Sequence, residues 1–338
     1  MKKIKLNTIL HLPNRHNRPR KQAFRTWLLI ISLSLCLSLL VFSGLLANKY
    51  FIISGHLKNK TACQLCNFAP VSIPNSSSRD AIFTMLTDFG AGSERLVRSL
   101  RTTGSNAKVV IFTPNNVKLP KWVFSCNVMQ VKSGPLTERA KMSPYKMRWE
   151  WYYEFLKKEV DNFDRILHVD AFDVFFFGDP FPFAKDRNGL YFQMEDKTLR
   201  ECPYNKQWVL ACHYDVNRYK LLGNIIACSG SLLGGAKPFL RFIEMMVTHN
   251  EWPLCWGKGF DQGDFNYILY TELQKTNISR YFMGCNSGFM TYNYCVNKNR
   301  MLDDKNRPIT KNGTIITFAH QYNRYKVVKN HIISLCNV

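Results

Sequence analysis

The longest apolar stretch of the chain comes early. From Trp27 to Ala47, 21 residues pass without a charge. As a helix rising about 1.5 Å per residue, the run spans about 31 Å, enough for a hydrocarbon core of about 30 Å. Beyond it the pattern breaks into short alternating elements. Ala81–Thr87 (AIFTMLT) predicts a buried strand. Ser93–Thr102 (SERLVRSLRT) carries apolar residues at helical spacing and is ended by Gly104. Lys108–Thr113 (KVVIFT) predicts a second strand, and strand–helix–strand in that order predicts a parallel sheet. Ser143 and Pro144 supply an N-cap and a first-turn proline. Tyr145, Trp149, Tyr152 and Leu156 then share a helical face. Arg165–Val169 (RILHV) predicts a third strand ending at Asp170, Gly189–Met194 and Asn224–Cys228 predict further strands, and Pro238–Val247 a helix. Residues 79–338 suit one large α/β domain with a mostly parallel sheet flanked by helices. No internal repeat or low-complexity tract interrupts it.

Charge sharpens the reading of the first segment. The chain carries a net +22. Residues 1–78 hold 11 Lys and Arg and no acid, while 35 basic and 24 acidic residues leave +11 over 79–338. Eight basic residues precede Trp27 and few follow Ala47 closely. The positive-inside rule then predicts a cytosolic tail (1–26), a signal anchor (27–47), a stem (48–78) with Pro70, Pro74 and the Ser76–Ser78 run, and a lumenal domain (79–338). A cleaved signal peptide has a shorter apolar core, about 7–15 residues. Nucleic-acid binding is excluded on the same ground: the basic tail is short, cytosolic and lacks an aromatic pattern.

Two features agree with an oxidising compartment. Asn59, Asn75, Asn277 and Asn312 each open an Asn-x-Ser/Thr sequon, all after the anchor. Ten of the eleven cysteines also follow it, which predicts disulfides whose pairing the sequence leaves open. Cys63 and Cys66 form a CxxC without a thioredoxin-like βαβ pattern, so a local or intermolecular disulfide near the membrane is expected.

The chemistry concentrates in Arg165–Phe181, RILHVDAFDVFFFGDPF. A hydrophobic strand runs directly into Asp170 and Asp173. Ligands of open α/β sheets bind at the carboxyl ends of strands, and paired carboxylates there suit a hard divalent cation that bridges a diphosphate. The plainer alternative has Asp170 capping a turn and Asp173 solvated.

HVDAFDVFFFGDPF resembles the DxD-type motif of the GT-A glycosyltransferases, in a D-x-x-D-V…G-D-P-F variant. The resemblance covers roughly residues 80–325. It implies a GT-A (Rossmann-like) fold, a Mn²⁺ or Mg²⁺ cofactor held by Asp170 and Asp173, and a nucleotide-sugar donor. The spacing differs from strict DxD, so either aspartate can be the main ligand. Ala227–Gly235 (ACSGSLLGG) resembles the family's small-residue strand and turn, placing Ser229 and Gly230 at the donor together with Asp170. Gly259–Asn266 (GFDQGDFN) resembles a D-Q-x-x-x-N segment at a helix start, with Gln262 at the donor and Asp261 either the general base for an acceptor hydroxyl or a helix cap. Thr317–Arg324 (TFAHQYNR) places His320 after a strand-like run, Gly313–Ala319, as a third metal ligand; Asn323 stands where the related segment has Asp. Lys146 and Arg148 are either diphosphate contacts or solvated, and Trp151 or Tyr152 a ring to stack on sugar or base.

The build implied is a single-pass type II membrane enzyme of the Golgi or ER, moving sugar to a glycan, protein or lipid acceptor. Homo-oligomerisation is compatible with it. The alternative is an inactive transferase-like module that binds glycans.

Overall fold

The computed structural model describes residues 62–338 apart from positions 139, 140, 142, 216, 255, 258 and 294. The Trp27–Ala47 run, the basic tail, the first part of the stem and Asn59 lie outside these residues. Among the described residues, no helix is long and apolar enough to cross a membrane.

Strands β1 (Asp80–Met85), β2 (Lys108–Thr113), β3 (Val128–Lys132), β4 (Arg165–Val169), β5 (Val174–Phe176), β6 (Gly189–Thr198), β7 (Ile225–Gly235), β8 (Ser279–Met283), β9 (Phe289–Thr291) and β10 (Phe318–His320) form two sheets. The larger has seven strands in the order β3-β2-β1-β4-β7-β6-β8; the smaller has three, β5-β10-β9. The fold is mixed α/β with a mostly parallel central sheet. Within it β7 runs antiparallel to both β4 and β6. The main helices are α1 (Ala91–Thr102), α2 (Pro144–Glu159), α3 (Pro203–Cys212), α4 (Ala236–Val247), α5 (Phe260–Thr271) and α6 (Lys326–Leu335).

Strand alternation explains how helices cover both faces. Ala81 and Phe83 turn to one core with Trp149, Tyr152, Phe239, Phe242 and Phe265 of α2, α4 and α5. Ile82, between them, turns to the other core with Leu96, Val97 and Leu100 of α1 and with Val174 and Phe176 of β5. In the first core Phe83, Phe112 and Tyr152 pack as a mutually tilted trio, with ring centroids 5.2, 4.6 and 5.5 Å apart. Burying each such ring contributes about 1.5–3 kcal/mol. A third cluster joins Phe175 and Phe177 of the small sheet region to Val328 and Ile332 of α6.

The sequence reading locates β2 and β4 at their observed limits. It misses the continuity of β7. The expected turn at Gly234 and Gly235 is strand, and α4 follows directly. These glycines are small for another reason: a Cβ on Gly234 would lie 2.7 Å from the carbonyl of Gly189, and one on Gly235 would strike that of Arg187. Of the strand-like run Gly313–Ala319, only Phe318 and Ala319 fall in regular strand.

The end of the expected stem lies against the domain. Cys63 bonds Cys126 and Cys66 bonds Cys336. Each half of the CxxC therefore reaches a distant partner in the same chain, not a local or intermolecular one; a tertiary contact, not sequence spacing, makes the pairing. The Val71 N–H donates to the Phe177 carbonyl at 2.9 Å. The Asn75 and Ser76 N–H groups both donate to Asp179 Oδ2 at 2.6 Å. Asp179 of the GDPF segment is thus a buried anchor for the incoming chain. Cys285 and Cys295 form another disulfide. Asn75, Asn277 and Asn312 are exposed.

Candidate functional site

In this sheet the chain leaves β1 toward β2 and β3 and returns to pair β4 on the other side of β1. That reversal opens a crevice beyond the carboxyl ends of β1 and β4, the expected ligand position in an open α/β sheet. Asp170 is the residue after β4. Because β7 is antiparallel, its first half comes to the same edge, and the Asp170 N–H donates to the Gly230 carbonyl at 2.9 Å. The small sheet delivers His320 from the end of β10, opposite Val174 of β5.

Three separate segments therefore meet. His320 Nε2 lies 3.2 Å from Asp170 Oδ2 and 3.7 Å from Asp173 Oδ1. One ligand atom from each of Asp170, Asp173 and His320 falls within 4.8 Å of the others. A Cβ on Gly230 would collide with the His320 ring and lie 2.6 Å from Asp170 Oδ2, so only glycine fits beneath this pair. His320 Nδ1 faces the free thiol of Cys228 at 3.5 Å.

The charges are strongly graded. Burial opposes ionisation of Asp170, but Arg148 and His320 outweigh it and hold that carboxyl well below the usual range. Burial, with the charge of Asp170 beside it, lifts Asp173 above the usual range. Burial alone would keep the His320 ring neutral; Cys228, Asp170 and Asp173 reverse this and raise it well above an ordinary histidine.

A buried network backs the site. Arg148 pairs with Asp170, and its Nη2 donates to Asp261 Oδ2 at 2.8 Å and to the Ser229 carbonyl at 3.3 Å. Asp261 Oδ2 also accepts from Trp149 Nε1 at 3.4 Å and from Ser229 Oγ at 3.5 Å. The Ser229 N–H donates to Gln262 Oε1 at 2.6 Å. Gly259, with φ of 83°, is the residue before α5, so Asp261 is not its N-cap.

Two adjoining clefts of about 260 and 310 Å³ share Tyr145, Arg148 and Asp170. Together they fall in the ~300–1,000 Å³ range usual for small-molecule sites. The first is bounded by Met85, Thr87, Phe172, Asp173 and Asn323. The second takes in Ser229, Gly230, Asp261, Gln262 and His320, all selected by the sequence reading, together with Glu195, Trp208, Asn293 and Arg324, which it misses.

Four expectations need correction. Lys146 is neither solvated nor a phosphate contact: it is fully buried, with Nζ 2.8 Å from Asp264 Oδ2 and donating to the Trp252 carbonyl at 2.9 Å. Arg148 is not solvated: it is buried, and Asp170 and Asp261 engage its guanidinium. Trp151 and Tyr152 are buried in the core and present no stacking face. Tyr145, expected on one helical face with Trp149, Tyr152 and Leu156, does not share their burial and is exposed at the clefts. Its position one residue into α2, at the sheet edge, puts it past the core.

Glu195 is the functional candidate that motif reading lacks. It follows a run of buried residues in β6 and is itself buried. Asn293 Nδ2 donates to it at 3.0 Å. Burial, only partly offset by that hydrogen bond, pushes its carboxyl up to about 7. An acid closing the apolar run Gly189–Met194 is the signal that could have found it. No protein-family model and no curated protein matches this chain.

Proposed function

We propose that this chain is a divalent-metal-dependent glycosyltransferase of the GT-A type, anchored by Trp27–Ala47 with its α/β domain in the lumen of the Golgi or ER. The observation that carries the reading is the meeting of Asp170, Asp173 and His320 at the sheet's reversal point, beside two clefts that share one wall. The disulfides and the exposed sequons support the compartment.

Two carboxylates and one imidazole make a donor set that fits Mn²⁺, and Mg²⁺ less well because of the nitrogen. The lifted Asp173 carboxyl marks uncompensated negative charge that a cation relieves. Bound to Asp170, Asp173 and His320, the cation would supply neutralisation of the donor's diphosphate.

The remaining roles belong to this chain's own side chains. Arg148 neutralises and orients Asp170, and holds Asp261 against the Ser229 segment, so both are positioning residues. This replaces the general-base role for Asp261. Arg324 lines the second cleft and forms no ion pair among the described residues, so it is the cation left for a donor phosphate. Glu195, with its carboxyl near neutrality, is placed to take the proton of an acceptor hydroxyl. In that step the hydroxyl oxygen bonds to the anomeric carbon. The bond from that carbon to the diphosphate oxygen breaks, and the nucleoside diphosphate leaves with the electron pair.

The test uses the full-length chain in detergent, a panel of nucleotide sugars, and release of free nucleotide with Mn²⁺. Release from one donor, lost on chelation and in Asp173→Asn, supports the reading and identifies the donor. Mn²⁺-dependent nucleotide binding without release, across a panel of glycan acceptors, supports the binding module. Neither release nor metal-dependent binding overturns both.

A further inference from the structure

A second cluster of metal-ligating side chains lies apart from the residues above. His213 follows α3, and His249 and Glu251 lie in the turn after α4. One ligand atom from each falls within 4.8 Å of the others. His213 is fully buried, while His249 and Glu251 are half-buried and keep a route to solvent.

The surroundings are arranged as metal sites require. His213 Nδ1 lies 2.7 Å from Glu251 Oε2, and on the far side of the ring Nε2 lies 3.1 Å from Asp264 Oδ1. An imidazole that gives one nitrogen to a metal and turns the other to a carboxylate is the usual supported ligand. Asp264 is itself held by Lys146 at 2.8 Å, and Glu251 Oε1 accepts the Tyr214 N–H at 2.9 Å. The His213 ring lies flat on Tyr267, with centroids 3.7 Å apart and planes 4° apart, which fixes the direction of both nitrogens. Around a tetrahedral zinc, ligand atoms sit about 3.3 Å apart, given bonds of about 2.0–2.1 Å. Small side-chain adjustments convert the present spacing to that geometry.

We propose that His213 Nδ1, His249 and Glu251 bind a second metal ion, of the zinc class, with Asp264 as the outer partner of His213. Two imidazoles and one carboxylate favour zinc over the hard cations suited to Asp170 and Asp173. The site is structural in effect. It ties the end of α3, whose Trp208 walls the second cleft, to the turn after α4 and to α5, which carries Asp261 and Gln262. Zinc at this site would therefore fix that wall of the second cleft from outside it.

The experiment uses the full-length chain in detergent, stripped with a chelator and titrated with zinc alone. Bound metal is counted by mass spectrometry, cobalt substitution is followed by visible absorption, and melting is recorded. The expected result is one tight zinc equivalent, retained in Asp173→Asn and lost in both His249→Gln and Glu251→Gln, with affinity lowered at least about 100-fold. Cobalt should give a tetrahedral absorption band, and zinc should raise the melting midpoint of the wild type but not of His249→Gln. Wild type taking up no zinc beyond what Asp173→Asn removes would overturn the proposal. So would His249→Gln keeping both the zinc equivalent and the rise in melting; His213 would then be held by Glu251 and Asp264 alone.

Discussion

Glu195→Gln should make the protein more stable at neutral pH and change it little in acid. In the folded chain the Glu195 carboxyl is pushed from an ordinary 4.5 up to about 7 by burial. Between those values the native state binds a proton that the unfolded chain releases, so stability falls as pH rises through this window. Below pH 4.5 both states are protonated and the cost vanishes. Above pH 7 it is complete, and the rise from 4.5 to about 7 corresponds to about 3 kcal/mol. Glutamine copies the protonated carboxyl in shape and neutrality, and its Oε1 can still accept from Asn293. Urea unfolding of the disulfide-intact wild type and variant, at steps from pH 4.5 to 8, isolates the effect as a difference. The two should agree within about 0.5 kcal/mol at pH 4.5. The variant should pull ahead progressively, by about 3 kcal/mol, as pH approaches 8. A difference that is flat with pH, or that shrinks as pH rises, would refute the reasoning and show that Glu195 is charged and compensated in the native state.

Three further outcomes are expected. Gly230→Ala forces a methyl against His320 and Asp170; it should cost about 1–3 kcal/mol in stability and weaken Mn²⁺ binding about tenfold, read by calorimetric titration of the folded variant. Asp80→Ala strands the Arg165 guanidinium, whose Nε and Nη2 both donate to Asp80 at 2.8 Å in the buried base of the sheet. Denaturant unfolding should show a loss of about 3–5 kcal/mol. Cys66→Ser opens a crosslink spanning 270 residues and should cost about 2–5 kcal/mol; limited proteolysis near α6 would report it first, and unchanged melting would count against the clamp.

Much of this protein is determined by local sequence. The short, nearly continuous apolar runs Lys108–Thr113 and Arg165–Val169 specify strands of a sheet covered on both faces, and they are buried almost throughout. Pro144 sets where α2 begins, although the Ser143 hydroxyl makes no capping hydrogen bond, and the acids after Val169 pick out the strand end beside which the clefts open. The acids bring Asp170 and Asp173 onto the page before any coordinates, and the resemblance of three later segments adds Ser229, Gly230, Asp261, Gln262 and His320.

What the chain alone leaves undecided is which charges are already spent and which segments meet. Lys146 and Arg148 read as free cations because helical periodicity describes one helix and not the carboxylates of α5 packed against it. Trp151 and Tyr152 read as stacking rings because sequence does not show that the sheet covers them. The glycines at 234 and 235 read as a turn, whereas the close approach of neighbouring backbones requires them. The CxxC reads as a local unit, but its two sulfurs part toward Cys126 and Cys336. Glu195 carries no motif; its carboxyl becomes a candidate only once β6, β7 and the small sheet close around it. Each of these is a pairwise property, set by long-range contacts that place residues far apart in the chain within a few ångströms of one another.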